Sequence, residues 1–346
     1  MNSRTGVNGN VAGVGHDERL APGAKNAVRV CLNVQPHERV TVITDEACRS
    51  IAEALVREIE QVGAPHALFV LEELAPRPLA GLPAAVAADM ERSAVSIFAA
   101  RAQAHELGSR MQMTDIVNRR RMRHAHMVNI TDQIMMDGMR ADYREVDRVS
   151  TRVFEIVRRA RSIRATSPAG TDIRATLDPA LRWVKTSGLI SADKWGNLPG
   201  GEVFTSPADV SGRFIIDGVV GDWLCDRYGS LADTPLTVDI DHSRLVGATS
   251  VHARLRDDFW RYTHTDENSD RVGEFAIGTN IDLTSVIGHI LQDEKFPGVH
   301  IAFGNPYGAH TGAAWHSSTH IDVVGTEFDI EVDGVPIMSR GKFLID

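Results

Sequence analysis

Cysteine is scarce in this 346-residue chain: its three copies, Cys31, Cys48 and Cys225, stand far apart. No CxxC pair occurs, so a thiolate zinc site is not expected, and the pattern reads as reduced thiols in a cytoplasmic protein. An excess of positive charge is also missing. The net charge is −9, which speaks against a nucleic-acid partner. No stretch approaches the ~18 apolar residues that a membrane span needs. Gly-x-Gly-x-x-Gly does not follow the first predicted strand, so nothing supports a dinucleotide site. His-Glu-x-x-His and Gly-x-Ser-x-Gly are absent, and serine or cysteine nucleophile chemistry has no local support.

What is present fits a soluble globular protein of one large or two ordinary domains, with 43% hydrophobic and 24% charged residues. The polar, glycine-rich start lacks an apolar signal core. Residues 1–23 are expected to form a flexible arm. From there to residue 163 the pattern alternates strand and helix. "RVTVIT" (Arg39 to Thr44) and "HALFVLE" (His66 to Glu72) flank a helical stretch from Glu46 to Ala64 that stops at Gly63. Such a β-α-β unit is normally parallel. Further strands are predicted over 93–100 and 124–131, and an amphipathic helix over 142–163. The expectation is a small open α/β domain with a parallel-type sheet. The basic run "NRRRMRHAH" (Asn118 to His126) has no interleaved aromatics, and reads as a solvated helix end entering a strand.

Residues 164–346 read as an α+β domain. Short β-rich runs dominate, with one predicted helix over "LTSVIGHILQDE" and a hairpin at Asp333-Gly334. Eight of the fourteen histidines follow residue 240. Four apolar segments each bring polar groups inward: "LPGGEVFTSP" carries Glu202, "DRVGEFAIGTN" carries Glu274, "GVHIAFGNPYG" carries His300 and Tyr307, and "STHIDVV" carries His320 and Asp322. A carboxylate entering an apolar strand is costly unless it is paired or binds a cation. Residues i and i+2 of a strand share a face, which sets His320 beside Asp322. Two glutamates, two histidines and an aspartate suit two divalent metals about 3.5–4 Å apart. Spacing alone does not exclude His264, His289, His310 or His316, nor a hydrogen-bonded structural pair at His320 and Asp322.

At these segments, and at "CLNVQPHERVTVIT" and "GTDIRATL", the chain resembles the thermophilic metalloprotease family, the aminopeptidase T and PepS type of leucyl aminopeptidase. The resemblance spans roughly Ala24 to the C-terminus. It implies metal ligands at Glu202, although Gly201 replaces a glutamate of the family's "EEVFT" motif, and at Glu274 in "RVGE". It implies further ligands at His300, Tyr307, His320 and Asp322. The 2,5-dihydroxypyridine 5,6-dioxygenases resemble the chain as a second branch. They bind one ferrous ion through two histidines and an aspartate, and His300, His320 and Asp322 could supply that set here.

The resemblance thus implies a cytoplasmic metallo-aminopeptidase-like hydrolase, expected as a homodimer, acting on a short peptide or another small molecule. Two divalent ions (zinc, cobalt or manganese) would activate water, with Glu202, Glu274 and Tyr307 as catalytic groups. The alternatives are a single Fe(II) with ring-cleaving oxygen chemistry, and hydrolysis of a small non-peptide substrate.

Overall fold

The computed structural model describes residues 17–345. Most of the predicted arm therefore lies outside the described residues. Its last part is helical, with a 3-10 turn at Glu18–Leu20 running into the helix Ala21–Lys25.

The first sheet is parallel, as the β-α-β pattern predicted. Its strands are β1 (Val40–Thr44), β2 (His66–Val70), β3 (Val95–Ala99), β4 (Arg123–His126) and β8 (Gly196–Asn197), in the order β2-β1-β3-β4-β8. The helix Arg49–Val62 buries Ile51, Leu55 and Ile59 and ends at Gly63, whose φ of 81° gives the left-handed cap. Strand order reverses between β1 and β3, where a crevice at the carboxyl ends of such sheets usually takes a ligand. An ion network stands at this end of the sheet. Arg77, 3% exposed, bonds Asp45 Oδ2 at 2.8 Å and pairs with Glu106. Asp45 also accepts the Arg101 amide at 2.8 Å.

The remaining strands form two antiparallel sheets. One has eight: β5 (Ser162–Thr166), β6 (Asp172–Thr176), β10 (Asp209–Ile216), β11 (Leu236–Asp241), β12 (Arg244–Thr249), β16 (Asp329–Val332), β17 (Val335–Ser339) and β18 (Lys342–Phe343). The other runs β15-β14-β13-β9-β7, built from β7 (Val184–Thr186), β9 (Glu202–Thr205), β13 (Val272–Gly278), β14 (Gly298–Gly304) and β15 (His320–Val324). The two share one hydrophobic core, to which β6 gives Ile173, β10 Phe214, β13 Phe275, β14 Ile301 and β15 Ile321. The hairpin at Asp333-Gly334 is present, with both residues at positive φ (49° and 80°).

Four sequence expectations need correction. The helix predicted over 142–163 stops at Val157. Ser162 onward is β5, whose alternate residues are buried between β6 and β16. The strand predicted over 124–131 ends at His126. The helix predicted over "LTSVIGHILQDE" shrinks to Ile290–Asp293. The Asp293 carboxylate accepts the amides of Ile287, Gly288 and His289 at 2.8–3.0 Å, and this local bonding offers the backbone an alternative to helix. Nor is that helix alone among the strands: Asp222–Tyr228 and Ala253–Tyr262 are helical too.

The helix Tyr143–Val157 joins the two halves. It gives Tyr143 and Val146 to the first core and Val149, Val153 and Val157 to the second. The chain also returns to the first sheet at β8, which pairs with β4.

Candidate metal centre

The five-stranded antiparallel sheet is two-faced. Val203, Phe275, Ile277, Val299, Ile301, Phe303, Ile321 and Val323 enter the shared core. Strand alternation sends their neighbours Glu202, Glu274, His300, His320 and Asp322 to the opposite face. β13 would break this rule, because Val272 is also in the core. A register shift between Val272 and Glu274 resolves the conflict. The extra residue re-aims the strand so that Glu274 leaves the core face. The floor between the polar groups is made of small residues. Ala302 lies opposite both Glu274 and Asp322, and Ala276 lies opposite His300.

The side chains meet. Glu202, Glu274 and His300 place one ligand atom each within 4.8 Å of one another, and so do Glu274, His320 and Asp322. Glu274 belongs to both groups, and its two oxygens are divided between them. Oε1 faces His300 Nε2 at 3.4 Å, while Oε2 faces His320 Nε2 at 4.0 Å. Glu202 Oε2 lies 3.5 Å from His300 Nε2, and Asp322 Oδ1 lies 3.3 Å from His320 Nε2. Glu202, Glu274, His300 and Asp322 are no more than 9% exposed.

These separations suit a cation better than direct hydrogen bonds. An N–H···O bond prefers 2.7–3.2 Å. Two ligands about 2.1 Å from a tetrahedral ion stand about 3.4 Å apart. His300 Nε2 is buried and has no hydrogen-bond partner, which a buried nitrogen tolerates poorly unless something else binds it. His320 is oriented by its other nitrogen: Nδ1 donates to the Asn305 carbonyl at 2.9 Å, which turns Nε2 toward the acids.

Charge dominates the site. Burial works against charging the imidazoles, but Glu202 and Glu274 push His300 up to about 10, and Asp322 and Glu274 do the same for His320. Burial raises Glu274, with Asp322 and Glu202 adding to it. Glu202 is held low against burial by Lys295 and then His300. The Tyr307 ring lies 4.4 Å from the His320 ring at a 45° tilt, with the residue 42% exposed. Desolvation on the side facing the site, reinforced by Asp322 and Glu274, shifts its phenol pKa upward.

All six residues singled out from sequence therefore gather at one place. His264, His289, His310 and His316 belong to neither group among the described residues. Sequence reasoning missed Lys295, which is 1% exposed and bonds Glu202 Oε1 at 2.9 Å. It also missed the Lys295 partner Glu294, and Thr186, which donates to Glu202 Oε1 at 2.8 Å. A lysine inside "QDEKF" gives no local signal of burial. Its partner Glu202 is remote in the chain.

Acids and imidazoles at cation spacing on one sheet face define a candidate metalloprotein. The chain belongs to the thermophilic metalloprotease (M29) family, whose profile matches residues 129–343, more than half its length. No curated protein matches it. Among solved structures, 2,5-dihydroxypyridine dioxygenase from Pseudomonas putida KT2440 is similar at a TM-score of 0.68 and 14% identity, over 94% of this chain and 96% of that one. Wild-type AmpT from Thermus thermophilus is similar at a TM-score of 0.64 and 18% identity, over 94% and 99%. At such identities the likeness speaks of the fold: a parallel α/β domain joined to antiparallel sheets. No helix among the described residues is long and apolar enough to cross a membrane.

Proposed function

We propose that the chain is an aminopeptidase-like metallohydrolase with a dinuclear centre, held by Glu202, Glu274, His300, His320 and Asp322, with Tyr307 beside it. The observation that carries this reading is the division of the two Glu274 oxygens between two ligand groups. The charge pattern is consistent with it: Lys295 pairs with Glu202 and Glu294, while no lysine or arginine pairs with Glu274 or Asp322 among the described residues.

Divalent ions held there supply Lewis acidity and lower the pKa of bound water. Zinc, cobalt and manganese all accept such a nitrogen and oxygen set. The protein's own groups do the rest. Lys295 and Thr186 fix Glu202 Oε1 and leave Oε2 facing the site. Glu294 lies outside both ligand groups. Burial raises its pKa, Lys295 opposes that, and Asp322 and Glu202 push it up further. It is a carboxyl suited to holding and passing a proton between water and a leaving amine. The Tyr307 hydroxyl, kept protonated, can donate to a developing oxyanion.

The test is metal analysis of freshly purified protein, followed by chelation and add-back of Zn²⁺, Co²⁺ or Mn²⁺ with aminoacyl-arylamide assays. Two ions per chain and restored hydrolysis are expected. Metal-free protein with no gain on add-back refutes the proposal. The second reading, one ferrous ion on His300, His320 and Asp322, draws on the TM-score to the dioxygenase. Oxygen uptake with 2,5-dihydroxypyridine, with one iron per chain, would replace the hydrolase reading.

A further inference from the structure

A cavity of about 360 Å³ opens at the carboxyl end of the parallel sheet, large enough for a small molecule. It lies where the strand order reverses between β1 and β3, the place in such sheets that usually takes a ligand. Ile51 comes from the helix after β1, Arg101 follows β3, and Ile130 and Asp132 follow β4. Ile287 and His289 reach it from the second half of the chain. The lining is graded. Ile51 and Ile130 are 2% and 1% exposed, whereas Arg101 and Asp132 are exposed. The cavity thus has an aliphatic floor and a charged mouth.

At the mouth the backbone is fixed while the charged groups are free. The Arg101 amide donates to Asp45 Oδ2 at 2.8 Å, and Arg77 Nη2 donates to the Arg101 carbonyl at 2.6 Å. The following amide, of Ala102, donates to Asn129 Oδ1 at 2.8 Å and ties the end of β3 to the end of β4. The ion network around Arg77 thereby holds the residue that presents a cation. The side chains of Arg101 and Asp132 form no ion pair and no hydrogen bond among the described residues. His289 adds an unmet polar atom: its Nδ1 is buried and has no hydrogen-bond partner, which is costly unless something else binds it. Burial holds the pKa of this ring down, so it is neutral. Its backbone is anchored too, the amide donating to Asp293 Oδ2 at 2.8 Å.

We propose that this cavity binds a free α-amino acid with an aliphatic side chain, such as leucine. That molecule carries both charges at one end and its apolar group at the other, as the lining does. Arg101 would take the carboxylate as a two-pronged pair, and Asp132 the ammonium. His289 Nδ1, in the tautomer with its proton on Nε2, would accept a second ammonium N–H. The side chain would leave water for the floor formed by Ile51, Ile130 and Ile287. A simple carboxylate leaves Asp132 and His289 unmet, and a dipeptide sets its two charges too far apart for one mouth. The assignment does not depend on the chemistry of the metal centre.

Calorimetry with three probes tests it: L-leucine, 4-methylpentanoate, which lacks the ammonium, and 3-methylbutylamine, which lacks the carboxylate. Leucine should bind wild type, and each analogue should bind about 10- to 100-fold more weakly, the range for loss of a charged hydrogen-bonded contact. Arg101→Met and Asp132→Asn should each weaken leucine by a similar factor. Arg101→Met should also erase the preference for leucine over 3-methylbutylamine, and Asp132→Asn the preference over 4-methylpentanoate. Both side chains are exposed, so the variants should keep the wild-type Tm. Glu274→Gln, altered at the metal centre, should bind leucine as wild type does. No leucine binding by wild type, analogues that bind as tightly as leucine, or affinity unchanged in Arg101→Met and Asp132→Asn overturns the proposal. So does loss of leucine binding in Glu274→Gln, which would assign the ligand to the metal centre instead.

Discussion

Glu274→Gln isolates the shared carboxylate. The substitution keeps shape but removes the charge whose two oxygens face His300 at 3.4 Å and His320 at 4.0 Å. If both ligand groups depend on Glu274, both metal sites fail together. At a thousandfold excess of free metal over Kd, each occupied site adds about 4 kcal/mol to folding stability, and two add about 8 kcal/mol. Urea unfolding with and without Zn²⁺ reads this difference. Wild type should gain the full amount and Glu274→Gln less than about 1 kcal/mol. Glu202→Gln and Asp322→Asn each touch one group, so each should keep about half. Without metal, Glu274→Gln should be at least as stable as wild type, because burial already disfavours the Glu274 charge. Two ions per chain in Glu274→Gln, or an undiminished metal-dependent gain, would refute the shared-ligand reasoning.

Lys295→Met leaves Glu202 without its 2.9 Å partner, and should cost about 3–5 kcal/mol in metal-free protein; added metal should recover part of this in the same urea titration. Ala302→Leu pushes bulk between Glu274 and Asp322, so metal content by elemental analysis should fall, with about 1–3 kcal/mol of overpacking. The Asp266 carboxylate anchors the segment before His320: burial opposes its charge, but the Ser318 hydroxyl and amide, the Asn268 amide and the Ser317 hydroxyl hold its pKa well below the usual range. That contribution is present above the unfolded value of about 3.9 and is lost as pH falls toward the folded one. Acid-unfolding curves should therefore show Asp266→Asn less stable by about 1–3 kcal/mol at neutral pH, with the gap to wild type closing below about pH 4.

The parallel β-α-β start and the antiparallel second half were legible because period and turn signals are local. Gly63 and Asp333-Gly334 each mark a stop that the backbone obeys. Glu202, Glu274, His300, His320 and Asp322 were legible as candidates because each is a polar residue in an apolar strand-like run, whereas Tyr307, outside the strands, entered as a ligand only through the family resemblance. Lys295 was not legible, since its burial depends on Glu202 folding onto it from a distant strand. Arg77 was hidden likewise: its partners Asp45 and Glu106 come from separate loops. The short helix at Ile290–Asp293 shows the converse. Apolar spacing favoured a longer one, and a single carboxylate gathering three amides prevented it.

The bulge before Glu274 ties assembly of the site to correct strand pairing. Were β13 to slide by one residue against its neighbours, Phe275 would move toward the acids and Glu274 would be driven into oil. β15 is bound by the same parity, since Ile321 and Val323 interleave with His320 and Asp322. A half-registered chain therefore exposes grease and entombs charge at the same stroke. Such a misfold carries a heavy penalty, so cation-gathering groups that would be hazardous in an idle surface patch become, here, a proofreading device for the fold itself.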